Sequence, residues 1–157
     1  MDRTMEAAAE RTSAPWHLWV VGVLSLLWNG FGAYDYLMSK LQNREYLEGA
    51  FAPAGVSVDA GIAYMDAMPL WANLAWGFGV WGAVAGSILL LLRSRYAMHA
   101  FVVSLAGLVL GAIRQTTSPM PGMTDSAVPM AFTAVITIFT LLLIWYARRQ
   151  TATGVLR

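Results

Sequence analysis

Apolar residues in this chain come in four long runs, at residues 16–38, 69–92, 96–116 and 127–147, separated by polar or mixed stretches. Each run holds about 20 residues or more, and a helix rising ~1.5 Å per residue needs about 20 to cross ~30 Å of hydrocarbon. No water at that depth satisfies backbone N–H and C=O groups, so runs this long predict transmembrane helices. The pattern predicts an all-α, polytopic membrane protein: an antiparallel, left-handed bundle of four transmembrane helices with a short extracytoplasmic amphipathic helix.

The connections differ in length. Residues 93–95 leave room only for a tight hairpin between the second and third runs. Residues 118–126 hold Pro119, Pro121 and Gly122 and predict an ordered turn. The first connection, residues 39–68, is roughly 30 residues long against the usual 2–8 between packed helices. Structure is therefore expected inside it: a continuation of the first helix through Leu47, a turn at residues 53–55, and a short helix at residues 58–67. Ser57 suits its N-cap, Asp59 its first turn, and Val58, Ile62 and Met65 one face. The segment is expected to cover the bundle on the periplasmic side. Residues 15–147 then form the membrane domain. Residues 1–14 are expected to be a flexible cytoplasmic tail, and residues 148–157 a second cytoplasmic tail. The first run is too long for the apolar core of a signal peptide and reads as a retained helix.

Lipid tails are as apolar as leucine, so small residues that let backbones approach, rather than buried leucines, hold membrane helices together. Each run carries such a stripe: Gly22, Ser25, Asn29, Gly32 and Tyr36; Ala72, Ala75, Gly79, Gly82 and Gly86; Ala100, Ser104, Gly107, Gly111 and Arg114; Met130, Thr133, Thr137 and Thr140. The alternating spacing of three and four matches a left-handed bundle.

Composition narrows the class. The chain is 58% hydrophobic and 12% charged, about half the ~25% charge of a soluble globule. A net charge of +1 with no basic run excludes a nucleic-acid partner. The absence of cysteine excludes thiol redox chemistry and thiolate metal sites. With four crossings, Arg3, Arg11, Arg93, Arg95, Arg148, Arg149 and Arg157 fall on one side, and Lys40, Arg44 and Arg114 on the other. The basic excess marks the first side as cytoplasmic, so both termini are expected there. Asp35, Glu45, Glu48, Asp59, Asp66 and Asp125 make the opposite face acidic.

The candidate site is a polar cluster of Asn29, Asp35, Tyr36, Asn73 and Arg114. Asn29 falls near mid-membrane, where a buried amide needs a partner; Thr137 lies at similar depth. Asp35 is about 19 residues and Arg114 about 17 from the inner ends of their helices, which puts both at one level within roughly 3 Å. They either pair as a registry pin or line a polar cavity together with Tyr34, Tyr36 and Asn73. A second cluster, Glu45, Tyr46, Glu48, Tyr64 and Asp66, suits a polyol or amine, or equally a solvated helix face. His17 and His99 share a depth, but two histidines without a third ligand read as interfacial residues, and no metal or cofactor is expected. The acidic residues lack calcium-loop spacing. Trp28, Trp76 and Trp81 lie deeper than an interfacial belt and either stack on a ligand or fill space opposite the glycines.

The stretch Trp16-His17-Leu18-Trp19-Val20-Val21-Gly22, followed by Leu27-Trp28-Asn29 and Gly32-Ala33-Tyr34-Asp35-Tyr36 and continuing through Trp81-Gly82 to the leucines before Arg93, resembles a family of uncharacterised small four-helix proteobacterial inner-membrane proteins. Some of that family carry a sugar-transporter label. The resemblance spans most of residues 16–114, although residues 50–61 look longer than the family pattern. It implies location in the bacterial inner membrane and small-solute transport, with a sugar as one candidate solute. Four helices make a thin wall, so a homo-oligomer is expected, or else a partner membrane protein for which this chain is an accessory subunit. The chain lacks G-x-S-x-G, H-E-x-x-H and paired deep carboxylates, and an enzyme is not expected.

Overall fold

The computed structural model describes residues 14–123 and 127–157; the tail before residue 14 and Asp125 lie outside them. The fold is all-α. Helices α1 (Trp16–Lys40), α2 (Arg44–Phe51), α3 (Val58–Asp66), α4 (Leu70–Leu91), α5 (Ala97–Thr117) and α6 (Val128–Ala152) follow in order, with one 3₁₀ turn at Ala52–Ala54. Three of them, over Leu70–Leu91, Ala97–Thr117 and Pro129–Ala152, are long and apolar enough to cross a membrane. Helix α1 is 25 residues long but is not among the three. Asn29, Gly30, Gly32 and Asp35 dilute the apolar character of one half of it.

Helix α1 does not continue through Leu47 as the sequence pattern predicted. It stops at Lys40, and Gln42 takes a left-handed backbone (φ 50°). The amide side chain of Asn43 then accepts from the Tyr46 N–H at 3.0 Å and starts α2. Asn is a strong N-cap, so the local competition favours a new helix over extension of the old one. The expected cap at Ser57 is present, accepting from the Ala60 N–H at 3.3 Å. Gly55, at φ 67°, closes the turn between α2 and α3, a conformation that glycine adopts without Cβ strain. Phe51 lies over Gly61, and Arg44 bonds Asp59 at 2.9 Å, so α2 and α3 form one small unit.

The interface between α4 and α5 is built as the small-residue stripes predict. An atom added as Cβ at Gly82 would meet Ser104 N at 3.0 Å and Ala100 O at 3.1 Å; one at Gly107 would meet Gly79 N at 2.6 Å. The Ser104 hydroxyl donates to Gly79 O across the contact at 2.6 Å. Helix α1 packs on the other side of α4, and α6 on α5. Among the described residues α1 and α6 share no extended interface.

One end of the molecule is nonetheless closed. Leu18, Leu90, Ala97, Phe101, Leu143 and Ala147, drawn from all four long helices, form a buried cluster with Val155 and Leu156. The expectation of a tail at residues 148–157 is corrected here: α6 runs on to Ala152, and the segment after it folds back. Arg157 exchanges backbone hydrogen bonds with Arg93 and Arg95 at 2.8 and 2.9 Å. Burying two apolar side chains and pairing a short turn outweighs the entropy of a free end.

Substituting Gly107→Leu should drive a side chain into the α4 backbone and cost roughly 1–3 kcal/mol by overpacking. Gly30→Ala meets nothing within 4 Å and should be neutral or stabilising by up to about 1 kcal/mol. Thermal unfolding in mild detergent checks both. Equal melting temperatures for the two variants would contradict the tight α4–α5 contact.

Candidate functional site

Away from the closed end, α1 and α6 part and leave a cleft of about 820 Å³. The α4–α5 interface is its floor, through Ala75, Gly79, Ala83, Ser104, Gly107 and Leu108. One wall is Trp28, Asn29, Phe31, Gly32 and Asp35 of α1, and the other is Phe132, Thr133, Ile136 and Thr140 of α6. Tyr64, Met68, Pro119 and Met120 close over the far end, beside Arg114 and Gln115. A smaller cavity of about 240 Å³ lies under α2 and α3, and Asp35 borders both.

The polar groups of the cleft are mostly satisfied by the protein itself. Asn29 reaches α4 rather than α6: its amide donates to Ser87 Oγ at 2.9 Å and to Ala83 O at 3.3 Å. This corrects the expected Asn29–Thr137 contact. Thr137 instead donates to Thr133 O at 2.7 Å within its own helix, as Thr140 does to Ile136 O at 2.8 Å. A threonine in a helix always has the preceding turn's carbonyl in reach, so this bond forms without an interhelical partner.

Asp35 and Arg114 line the same cleft, as their equal depth predicted, but do not pair. The single ion pair among the described residues is Arg44–Asp59. Asp35 instead accepts from the Tyr46 hydroxyl at 2.7 Å. Arg114 donates from Nη1 to Ser118 O at 3.1 Å and lies with its guanidinium carbon 5.0 Å from the Tyr64 ring centre. Its Nε is buried without a hydrogen-bond partner. The reason is competition: α2 returns a phenol to Asp35, and the C-cap carbonyl of α5, Ser118 O, lies within reach of Arg114 and accepts from Tyr64 as well.

The other two predicted site residues belong to a separate cluster. Tyr36 packs edge-on against Trp76 and Trp81, with centroids 4.8 and 6.2 Å away. Lys40 lies 5.3 Å from the Trp76 ring centre and donates to the Asn73 amide oxygen. The Asn73 amide nitrogen donates to Met68 O at 2.9 Å. Tyr36, Trp76 and Trp81 thus serve the α1–α4 contact, whereas Trp28 packs on Phe139 of α6 with ring centroids 5.5 Å apart. Tyr34 packs on Tyr46, with ring centroids 5.5 Å apart.

The acidic–aromatic cluster of the connecting segment disperses. Tyr46 goes to Asp35, Tyr64 donates to Ser118 O at 2.7 Å, and Asp66 accepts from Gln42 at 2.8 Å. Glu45 and Glu48 are exposed. His17 meets the Tyr146 hydroxyl at 2.5 Å, whereas His99 is exposed beside Tyr96. Sequence reading missed Gln115, which meets the Thr133 hydroxyl at 3.2 Å. It also missed Ser87, whose position one helical turn beyond Ala83 was the available signal.

No family model, no curated protein and no solved structure matches the chain. The class defined by fold and sequence is an all-α protein with helices long and apolar enough to span a membrane.

Two measurements follow from the Asp35 environment. Burial, and then the hydrogen bond and charge of Asp35, push the Tyr46 phenol from 10.0 up to about 12. The folded state therefore favours the neutral phenol. The resulting stability is complete below about pH 10 and disappears as pH rises toward the folded value. Absorbance titration of the wild type minus Tyr46→Phe should show one phenol ionising near pH 12; a step near pH 10 would contradict the bond. Because Asp35 and Arg114 are not paired, Asp35→Asn and Arg114→Gln should be additive in stability within about 0.5 kcal/mol. A coupling above about 1 kcal/mol in the double-mutant cycle would restore the ion pair.

Proposed function

We propose that the protein is a multi-pass, non-enzymatic protein of the bacterial inner membrane that transports a small solute as a homo-oligomer. In this reading α1 is a fourth crossing, the four long helices run antiparallel in a left-handed arrangement, and both termini face the cytoplasm. Its side facing lipid, with Trp19, Val23, Leu27 and Phe31 exposed, is suited to hydrocarbon. The excess of arginines beside the α4–α5 turn and in the C-terminal segment supports the orientation. α2 and α3 then stand on the periplasmic side.

The observation that carries the transport reading is the cleft. Its volume of about 820 Å³ lies within the ~300–1,000 Å³ of small-molecule sites. It extends from Asn29, Ser104 and Thr140 to Tyr64 and Met120 under the connecting segment. A path from the interior of a helix layer to one surface is half of what alternating access requires. The family resemblance adds a sugar as one candidate solute. The other reading is an accessory subunit of a larger membrane complex, favoured by Gly30, which lies outside the cleft. An added Cβ there meets nothing within 4 Å, and an open glycine face admits a partner helix.

The chain has no cysteine, so a single Thr140→Cys reports the deep end of the cleft. A transporter should let a membrane-impermeant maleimide reach it from either face of the membrane, and labelling from one face alone would sink transport. Native mass spectrometry after gentle extraction should show a homo-oligomer. A stable complex with a different chain would establish the accessory role instead.

A further inference from the structure

We propose that the cleft binds an anionic amphiphile, its phosphate or carboxylate head on the Arg114 guanidinium and its hydrocarbon chain between α1 and α6. The inference rests on reading the cleft as a solute site, and names the solute class.

The cleft has few hydrogen-bond donors left to offer. Asn29 gives its amide hydrogens to α4, Ser104 bonds Gly79, and Thr133 and Thr140 bond the preceding turns of α6. A sugar requires several convergent hydrogen bonds, because each hydroxyl buried without one costs free energy. Those donors are already engaged. Arg114 is different. Its Nε is buried and unpartnered, and no described carboxylate pairs with it. Asp35, the one acid lining the cleft among the described residues, is held by Tyr46. The rest of the guanidinium is half-buried, and an anion that accepts from Nε and a terminal nitrogen together, as phosphate and carboxylate oxygens bind arginine, would satisfy it.

The rest of the cleft suits a chain. Phe31, Val80, Leu108, Phe132 and Ile136 line it, and Phe31 and Phe132 are exposed along its open side. A hydrocarbon tail can therefore enter sideways between α1 and α6, while the head meets Arg114 under Tyr64. Charge at one end and apolar walls along the other define an amphiphile, and the cation at the head end defines its sign.

The test uses purified full-length protein in neutral maltoside detergent, titrated with dansyl-labelled undecanoic acid and with its methyl ester. The wild type should bind the acid roughly 10-fold or more tighter than the ester, as a charge-assisted hydrogen bond provides. Arg114→Gln should bring the two affinities together, and Arg114→Lys, which retains the charge, should keep most of the preference. Thermal unfolding verifies that each variant is folded. Equal affinities for acid and ester in the wild type, or a preference that survives Arg114→Gln, would overturn the head-group assignment while leaving the cleft a solute site. Displacement of the probe by millimolar inorganic phosphate would overturn the amphiphile in favour of a free anion. Gly111→Leu, which fills open space in the cleft, should weaken both probes. If neither probe binds, or if that variant changes nothing, the amphiphile inference falls, while labelling of Thr140→Cys decides the solute-site reading separately.

Discussion

Close backbone approach between α4 and α5 is the constraint on which the remaining structure depends. In water, this pair would be held by burying large apolar side chains. In hydrocarbon that driving force is absent, and helices associate through dispersion and hydrogen bonds at short range. Gly79, Gly82 and Gly107 remove the side chains that would keep the helices apart, and Ser104 donates to the Gly79 carbonyl across the gap. Large side chains such as Leu74, Phe78 and Trp81 of α4 and Val102, Val109 and Ile113 of α5 are thereby released to face outward. The resulting flat pair is the surface on which α1 and α6 stand, and its small residues become the floor of the cleft.

The same scarcity of water orders the polar side chains. Every hydroxyl or amide at depth must find a partner inside the protein. Threonines of α6 close on their own helix, Ser87 on Ala83, and Asn29 on the Ser87–Ala83 pair. The closure is nearly complete, which gives the unpartnered Nε of Arg114 its weight. A cation left partly unsatisfied between apolar walls is a specific demand for an anion.

The closed end and the open cleft have equally local causes. At one end, Phe101, Leu18, Leu90 and the folded-back Val155 and Leu156 fill the space among the four long helices. His17 also reaches Tyr146 there. Toward the other end Gly32 of α1 and Gly111 of α5 border the cleft with open space beside them. The long helices are pinned at that closed end and α1 and α6 part toward the other, where the segment of α2 and α3 lies over the opening.

The residues alone determined the helical class, the long apolar helices, the α4–α5 stripes, the Ser57 cap and the shared level of Asp35 and Arg114. All of these follow from quantities linear in the chain: run length, rise per residue and the spacing of small side chains. Partner choice was not legible in that way. Asp35 took Tyr46 rather than Arg114, Asn29 took Ser87 rather than Thr137, and Tyr36 and Asn73 went to the Lys40–Trp76 cluster. Equal depth is necessary for a contact, but azimuth around each helix and the return of α2 decide it. Both depend on where Gln42 and Asn43 break the chain and on how closely α4 meets α5. The cleft belongs to the same category. No stretch of sequence encodes a space between the first and last long helices, because it exists only where two walls fail to meet.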